Sequence, residues 1–436
     1  MEKCIHTKNG IPIYSYENKM IASFSLSLFL RAGSMYESEE ENGSAHLFEH
    51  MVFRHLNRLY SGQLYKKLDS LGLSFDGSTY CNYVEFNLTG AAEHFADATE
   101  ILADIFLPFQ LTGNDLKPEK DRIKAEIYEA GDSSSLSAFT DKILWSGTSL
   151  AGRVPGTPST VNRIGITRLK EIQKKLLACE NIFVYAAGSF DTSKLTDLAV
   201  LLEKRGIYHA PRRGRCAPVP ADFGKRPRTV HLKGSDYTYV RICFDCPAGA
   251  RDLPAIFLLG DILFGGNSSV IHDALSEQSG LIYSFYSYVD IYENISELYL
   301  SYEVRSDRLY RSIQEAFTTF RQVGDCAEEY IKYALPEYVD NARILEDSPS
   351  DLTSKFAYET HIVGQNYKSA EERKAAFLAV TPQKIRELAY SIFRPENLTL
   401  AVKASKKKTD TDSLRSLIDI LETSTEQDRS VKDNAR

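Results

Sequence analysis

The run His46-Leu47-Phe48-Glu49-His50 puts two imidazoles and a carboxylate within five positions. On a helix, successive side chains turn by about 100°, so His46 and His50 lie one turn apart on one face, with Glu49 beside them. Two imidazoles at that spacing can grip one ion. Zinc needs a third protein ligand and leaves its fourth position to water. The neighbouring carboxylate can take a proton from that water and pass it to a leaving amine. With 9 His in 436 residues, chance produces an H-x-x-E-H in about one such sequence in a hundred. Leu47, Phe48, Met51 and Phe53 give the same helix a packing role. Two buried imidazoles and a carboxylate would still need polar partners. The motif therefore reads as a zinc peptidase site with Glu49 as the base.

The surrounding sequence must position that helix. Two strands are expected near 11–16 and 22–32, then an acidic loop from Tyr36 to Asn42. A helix follows from about Gly43 to Asn57, and another covers SGQLYKKLDSLG. The aromatic and β-branched run SFDGSTYCNYVEFNLTG reads as paired strands. A long amphipathic helix is expected over AAEHFADATEILADIFL. Pro118 then stands near the start of a helix that runs through KDRIKAEIYEAG and stops at Gly131. A helix near 167–178 leads into the apolar strand NIFVYAAGSFD.

The pattern lapses over HAPRRGRCAPVPADFGKRP, and after it the order repeats. LSLFLRAGS is echoed by VRICFDCPAGA, and HLFEHMVF by FLLGDILF at an offset of 211. NIFVYAAGS is echoed by NLTLAVKAS at an offset of 216. Matches in order at a near-constant offset point to two copies of one fold. The second copy holds Phe257, Gly260 and Asp261 where the first holds His46, Glu49 and His50, so it lacks the polar set. The expected division is a zinc-bearing domain over 1–208, a linker over 209–227, a second domain over 228–405 and a charged tail over 406–436. DSLRSLIDILE in that tail can form one helix.

Composition narrows the function classes. Hydrophobic residues make up 43% and charged residues 25%, as in an ordinary globular protein. A net charge of −7 argues against nucleic acid as the main partner. The start, MEKCIHTKNG, has no apolar signal core, and Met20 to Leu30 is broken by Ser23, Ser25 and Ser27. No membrane span is expected, and the cytoplasm is the expected location. The 7 cysteines are odd in number and scattered, which argues against a disulfide framework. Cys243 and Cys246 sit in a strand, where residues three apart point to opposite faces, so they read as packing residues.

The stretch GSMYESEEENGSAHLFEHMVFRH resembles the signature of the insulinase/pitrilysin family of inverted zincins, which includes the mitochondrial processing peptidases. The resemblance covers roughly residues 5 to 405. It implies an α+β fold of two homologous domains, each a mainly antiparallel sheet packed with helices. It also implies a third zinc ligand on a later helix; Glu126 stands 76 residues after His50, in KPEKDRIKAEIYEAG. Glu119, seven positions earlier, matches an acidic residue of the family and shares a helix face with Glu126, so it reads as a group that orients the site. Glu129 is the competing ligand and ranks below.

The segment LGLSFDGSTYCNYVEF resembles the family's edge strand, which pairs with an extended substrate. Asp76, Gly77, Ser78 and Thr79 are its expected substrate-binding residues; family members usually have Asn-Ala where this chain has Asp76-Gly77. In the second domain, GGNSSVIHDALSEQSGLIYSFYS resembles the segment that carries a substrate-contacting Arg and, seven residues on, a Tyr. Tyr283 matches the Tyr, but Ser276 stands at the Arg position. A serine cannot give a charged donor to an oxyanion. Half-length members imply dimers, and some pair a zinc-bearing subunit with a paralogue that supplies the Arg. That arrangement fits a leader- or propeptide-cleaving heterodimer. The alternatives are a homodimeric oligopeptidase that draws on another cation, such as Arg305, and a non-catalytic scaffold subunit.

Overall fold

The segment SFSLSLFL forms β3 (Ser23–Leu30), and its alternation would suit a strand with one wet face. Instead Ser25 and Ser27 are as buried as Phe24, Leu26 and Leu28. Their hydroxyls are not stranded: Ser27 Oγ donates to Glu85 (2.7 Å), and Asn87 Nδ2 donates to both serines at 2.7 and 2.6 Å. Ser25 Oγ also lies 3.0 Å from Thr353 Oγ1, on a helical segment, Leu352–Val363, that covers this face. The strand is thus central and closed on both sides.

The computed structural model describes residues 1–129, 136–206, 208–210, 229–246 and 248–422. Among the described residues, eleven strands form two sheets. The first contains β1 (Lys3–His6), β2 (Pro12–Glu17), β3, β4 (Ser74–Thr79), β5 (Val84–Ala91) and β6 (Ile182–Gly188), in the order β1-β2-β6-β3-β5-β4. The second contains β7 (Thr229–Gly234), β8 (Tyr239–Cys246), β9 (Phe285–Ile291), β10 (Ser296–Glu303) and β11 (Leu398–Ala404), in the order β7-β11-β8-β10-β9. In each sheet one pair is parallel, β2 with β6 and β7 with β11; the other pairs are antiparallel. Strand for strand, β7-β11-β8-β10-β9 repeats β2-β6-β3-β5-β4. The fold is α+β with two like domains, as the repeated sequence implied.

The first helices are α1 (Ser44–Leu59), α2 (Leu64–Leu71), α3 (Phe95–Asp104), α4 (Gly113–Glu129) and α5 (Leu136–Leu144). They are followed by α6 (Pro158–Arg163), α7 (Ile166–Leu176), α8 (Ser193–Arg205) and α9 (Leu253–Phe264). Two boundaries depart from expectation. The helix expected from residue 91 is shorter, because β5 runs to Ala91 and a 3-10 turn occupies Ala92–His94. α4 starts at Gly113, so Pro118 lies inside it rather than near its start. Thr112 N and Oγ1 both donate to Asp115 Oδ2 (2.8 and 2.7 Å), which fastens the first turn ahead of the proline. The expected helix end at Gly131 and all but the first two positions of the expected linker 209–227 lie outside the described residues. The tail forms a helix, Thr411–Ser416, then a 3-10 turn, Leu417–Leu421; residues beyond 422 lie outside the described ones.

Packing sorts the chain into two units that are discontinuous in sequence. One holds Met1–Asp132, Trp145–Pro218 and Asn341–Arg373; the other holds Ser133–Leu144, Val219–Asp340 and Lys374–Arg436. The first has α1, α3, α7 and α8 around one apolar core that includes Leu26, Phe48, Phe86 and Phe106. In the second, α5 lies on β8 and β11, and Cys243 and Cys246 are both buried in β8.

Within residues 341–373 a buried ion pair ties the helical segment Leu352–Val363 to the chain that follows it. Arg373 Nε and Nη2 each donate to Glu359, at 2.8 Å. Glu359 and Arg373 are only 2% and 6% exposed. Removing one partner of such a pair strands the other charge, at about 3–5 kcal/mol. Glu359→Ala is therefore expected to lower stability by about that amount in urea unfolding. A loss under about 1 kcal/mol would mean that the pair behaves as a solvated one.

Candidate metal centre

α1 is amphipathic, and its apolar stripe of Leu47, Phe48, Met51, Val52 and Leu56 is fully buried in the core. Burying that stripe turns His46, Glu49 and His50 toward β4 and α4. The His46 and His50 rings lie edge to face, 4.7 Å between centroids. Glu126, on α4, completes the group. Its Oε2 is 3.8 Å from His46 Nε2 and 3.5 Å from His50 Nε2. The three ligand atoms all lie within 4.8 Å of one another, and no other such group occurs among the described residues.

These residues fit zinc. Tetrahedral bonds of 2.0–2.2 Å to nitrogen and oxygen put ligand atoms roughly 3.4 Å apart, close to the separations from Glu126. The protonation states fit as well. Burial, and the neighbouring His50, pull His46 down to about 4, so its imidazole is a free base at neutral pH. Its Nδ1 is buried without a hydrogen-bond partner among the described residues. His50 Nδ1 pairs with Glu119 Oε2 at 3.3 Å. A carboxylate only accepts, so the proton sits on Nδ1 and Nε2 is left for a metal. Burial alone would lower His50, but the hydrogen bond to Glu119 and the charges of Glu49, Glu126 and Glu119 outweigh it and raise the metal-free ring.

Glu119 is 3% exposed and also accepts from Arg54 Nε (2.8 Å) and Arg122 Nη1 (3.0 Å). Burial pushes its carboxyl up, yet the bonds from His50 and Arg54 and the charges of Arg122 and Arg54 hold it below the usual range. Arg54 and Arg122 were not singled out from sequence. A signal was present, since Arg54 follows His50 by four residues, and Arg122 follows Glu119 by three.

Glu49 lies against β4. Thr79 Oγ1 donates to Glu49 Oε2 at 3.0 Å, and that oxygen is 4.0 Å from His46 Nε2. Burial raises the Glu49 carboxyl, opposed by the His50 charge and the Thr79 bond. A Cβ on Gly77 would come within 2.9 Å of Glu49 Oε1 and 2.7 Å of Phe53. The strand crosses close to the carboxylate at this glycine, and a methyl there would require the ends of the Phe53 and Glu49 side chains to shift. Asp76 points the other way, as alternation requires; its carboxylate accepts from Ser74 Oγ at 2.9 Å. Ser78 shares that face with Asp76. Among the described residues β4 is an edge strand, paired with β5 on one side only.

The remaining expected residues are in the second unit. Tyr283 is 97% exposed and, with Arg305, Tyr286 and Tyr299, lines a cavity of about 890 Å³. Ser276 is in a π-helical turn, Asp273–Gln278. Arg305 is exposed and paired with Asp307 at 3.0 Å. Glu129 is exposed on α4, outside the ligand group. In α9, Gly260 takes the position of Glu49, and a Cβ there would lie 2.6 Å from Val289 of β9. Close apolar packing thus replaces the carboxylate of the first copy.

A helix bearing H-x-x-E-H, a carboxylate from a second helix and two sheets of like order define the two-domain zinc-peptidase class. Residues 13–155 match the model for insulinase (peptidase family M16), and residues 163–333 match that for the peptidase M16 inactive domain. The chain belongs to the M16 insulinase family of zinc proteases. It is 22% identical over 401 residues to the uncharacterized zinc protease YmxG of Bacillus subtilis, covering 91% of this chain and 96% of that protein. It is 26% identical over 194 residues to cytochrome b-c1 complex subunit 1 of Mus musculus, covering 44% of this chain and 40% of the mouse protein. The fold is similar to a protease from Helicobacter pylori, with a TM-score of 0.81 at 15% identity over 93% of this chain and 99% of that one. The periplasmic protease PqqL of Escherichia coli gives a TM-score of 0.75 at 14% identity, over 97% of this chain and 50% of PqqL. Among the described residues, no helix is long and apolar enough to cross a membrane.

Glu126→Ala leaves two imidazoles and no third protein ligand. Zinc content by plasma emission is expected to fall from one per chain to well below stoichiometric, with the far-ultraviolet circular dichroism unchanged. Stoichiometric zinc in that variant would refute Glu126 as the third ligand.

Proposed function

We propose that the chain is a zinc-dependent endopeptidase that cleaves peptides, and that it forms the zinc-bearing subunit of a heterodimer acting on leader peptides or propeptides. The observation that carries the first part is the convergence of two imidazole nitrogens and one carboxylate oxygen from α1 and α4. His46, His50 and Glu126 would hold the metal. Zinc held there would supply Lewis acidity toward a carbonyl and toward water. Glu49, beside the ligand group, would act as the general base toward water. Its raised carboxyl suits it to hand the proton on to the leaving amine. Thr79 keeps one Glu49 oxygen in place. The free edge of β4 offers main-chain groups to an extended peptide beside Glu49.

The heterodimer reading rests on Ser276 at the family's Arg position and on Arg305 being held by Asp307. Loss of one oxyanion donor typically lowers turnover about 10²–10³-fold, and a partner with the arginine would restore it. Six free cysteines among the described residues favour a reducing compartment, the cytoplasm. A second reading, a non-catalytic subunit of an assembly, is favoured by the similarity to cytochrome b-c1 complex subunit 1. The intact ligand group weighs against it.

The test is the purified chain alone, zinc confirmed, on a mixed unstructured peptide library with Glu49→Gln as the blank. Silence with zinc bound is the outcome expected for half of a heterodimer. Glu49-dependent cleavage would sink the heterodimer and keep the peptidase. Cleavage that survives Glu49→Gln would sink the mechanism.

A further inference from the structure

α1 starts in an unusual way. Gly43 precedes it in a left-handed conformation (φ 92°), and no side chain at that position caps the helix. The first amides of a helix have no partner within it and are normally met by a capping side chain. Here the cap comes from six residues upstream. Glu37 Oε1 accepts from Ala45 N (2.7 Å) and Ser44 Oγ (3.0 Å). Glu37 Oε2 accepts from Gly43 N (2.7 Å) and Asn42 Nδ2 (3.1 Å). Two oxygens meeting four donors use the full capacity of a carboxylate.

The clamp is itself anchored. Asn42 Nδ2 also donates to Arg153 O at 2.9 Å. A Cβ on Gly43 would lie 2.8 Å from Pro155 O, and one on Gly156 would lie 2.4 Å from Asn42 O. The start of α1 is therefore seated in the 152–156 loop as well as tied to Glu37.

The two histidines differ in what holds them. The His50 ring is oriented by Glu119. The His46 ring has no such partner among the described residues, since its buried Nδ1 is unpaired there. Its placement is left to the backbone of the first turn, the part of a helix most prone to fray. Ala45, whose amide Glu37 holds, is the residue next to His46. We infer that Glu37 is a positioning residue for the metal centre: by clamping the first turn of α1 it sets His46 for zinc, as Glu119 sets His50.

This inference rests on the zinc reading above, and the test separates the two. Zinc affinity is measured by chelator competition on the full chain and on Glu37→Gln, and the visible absorption of the cobalt(II)-loaded forms is compared. Thr381→Ala serves as control: it removes a helix cap in the second unit, where Thr381 accepts from Lys384 N. Glu37→Gln should weaken zinc about ten- to hundredfold, the usual range for a group that orients a ligand, and shift the cobalt bands. Thr381→Ala should change neither. If Glu37→Gln does not fold, Glu37→Asp, with both oxygens one methylene short, takes its place with the same expectation. Parent-like zinc affinity and cobalt bands in the variant would overturn the role of Glu37 and leave the metal site standing. A parent chain that binds no zinc would overturn the metal reading, and the role of Glu37 with it.

Discussion

Glu119 reaches from α4 to three donors, His50, Arg54 and Arg122, and is almost wholly buried. A buried carboxylate is tolerable only while its partners stay in place. α1 supplies two of those partners, so α4 cannot drift from α1 without stranding a charge. Glu126 lies seven residues beyond Glu119 on the same helix, two turns along the same face. Fixing Glu119 therefore fixes Glu126 relative to the histidines. The same carboxylate selects the tautomer of His50. One residue that touches no substrate thus governs two of the three ligands, and only His46 depends on something else, the seating of the first turn.

The second copy shows what the first has given up in packing. α9 reads LPAIFLLGDILF and is apolar nearly all round. At Gly260 it packs directly against Val289 of β9. In the first copy the matching contact, α1 against β4, must leave room for Glu49, and the room comes from Gly77 on the strand instead. The glycine has moved from the helix to the strand. Asp261, in the place of His50, is half-buried, and desolvation raises its carboxyl to about 6. The second copy keeps the scaffold and has traded the chemistry for apolar contact.

How much of this was legible follows from the range of the interactions. The H-x-x-E-H helix, β2, β3, β6 and the repeat were readable because each depends on residues a few positions apart or on a constant offset. Glu126 was not readable that way. α2, β4, β5 and α3 lie between it and His50, and no local period spans them; only the family resemblance pointed to it. The burial of Ser25 and Ser27 was not readable, because the segment that covers them comes from residues 341–373. Glu37 looked like one more acid in a charged loop, Tyr36 to Asn42; its sequence carries no sign that it turns inward to α1. Asp76 was grouped with Gly77, Ser78 and Thr79, but the period of two in a strand divides the four between opposite faces.

Charge explains why the centre has this many acids and no more. Glu119 is matched by the guanidinium groups of Arg54 and Arg122, so it adds little field at the ligand atoms. Glu49 and Glu126 are left as the two carboxylates that face His46 and His50. Two anionic oxygens and two neutral imidazoles balance a divalent cation. Without one, the two carboxylates repel, and the Glu126 charge indeed raises Glu49 further. The site is therefore assembled by α1, α4 and β4 against a standing electrostatic cost, and apolar burial of one face of α1 supplies the opposing force. A third unmatched acid would raise that cost, and one fewer would leave a bound cation with excess charge. The two arginines on Glu119 belong to the metal site for that reason, although neither is among the three residues that converge on it.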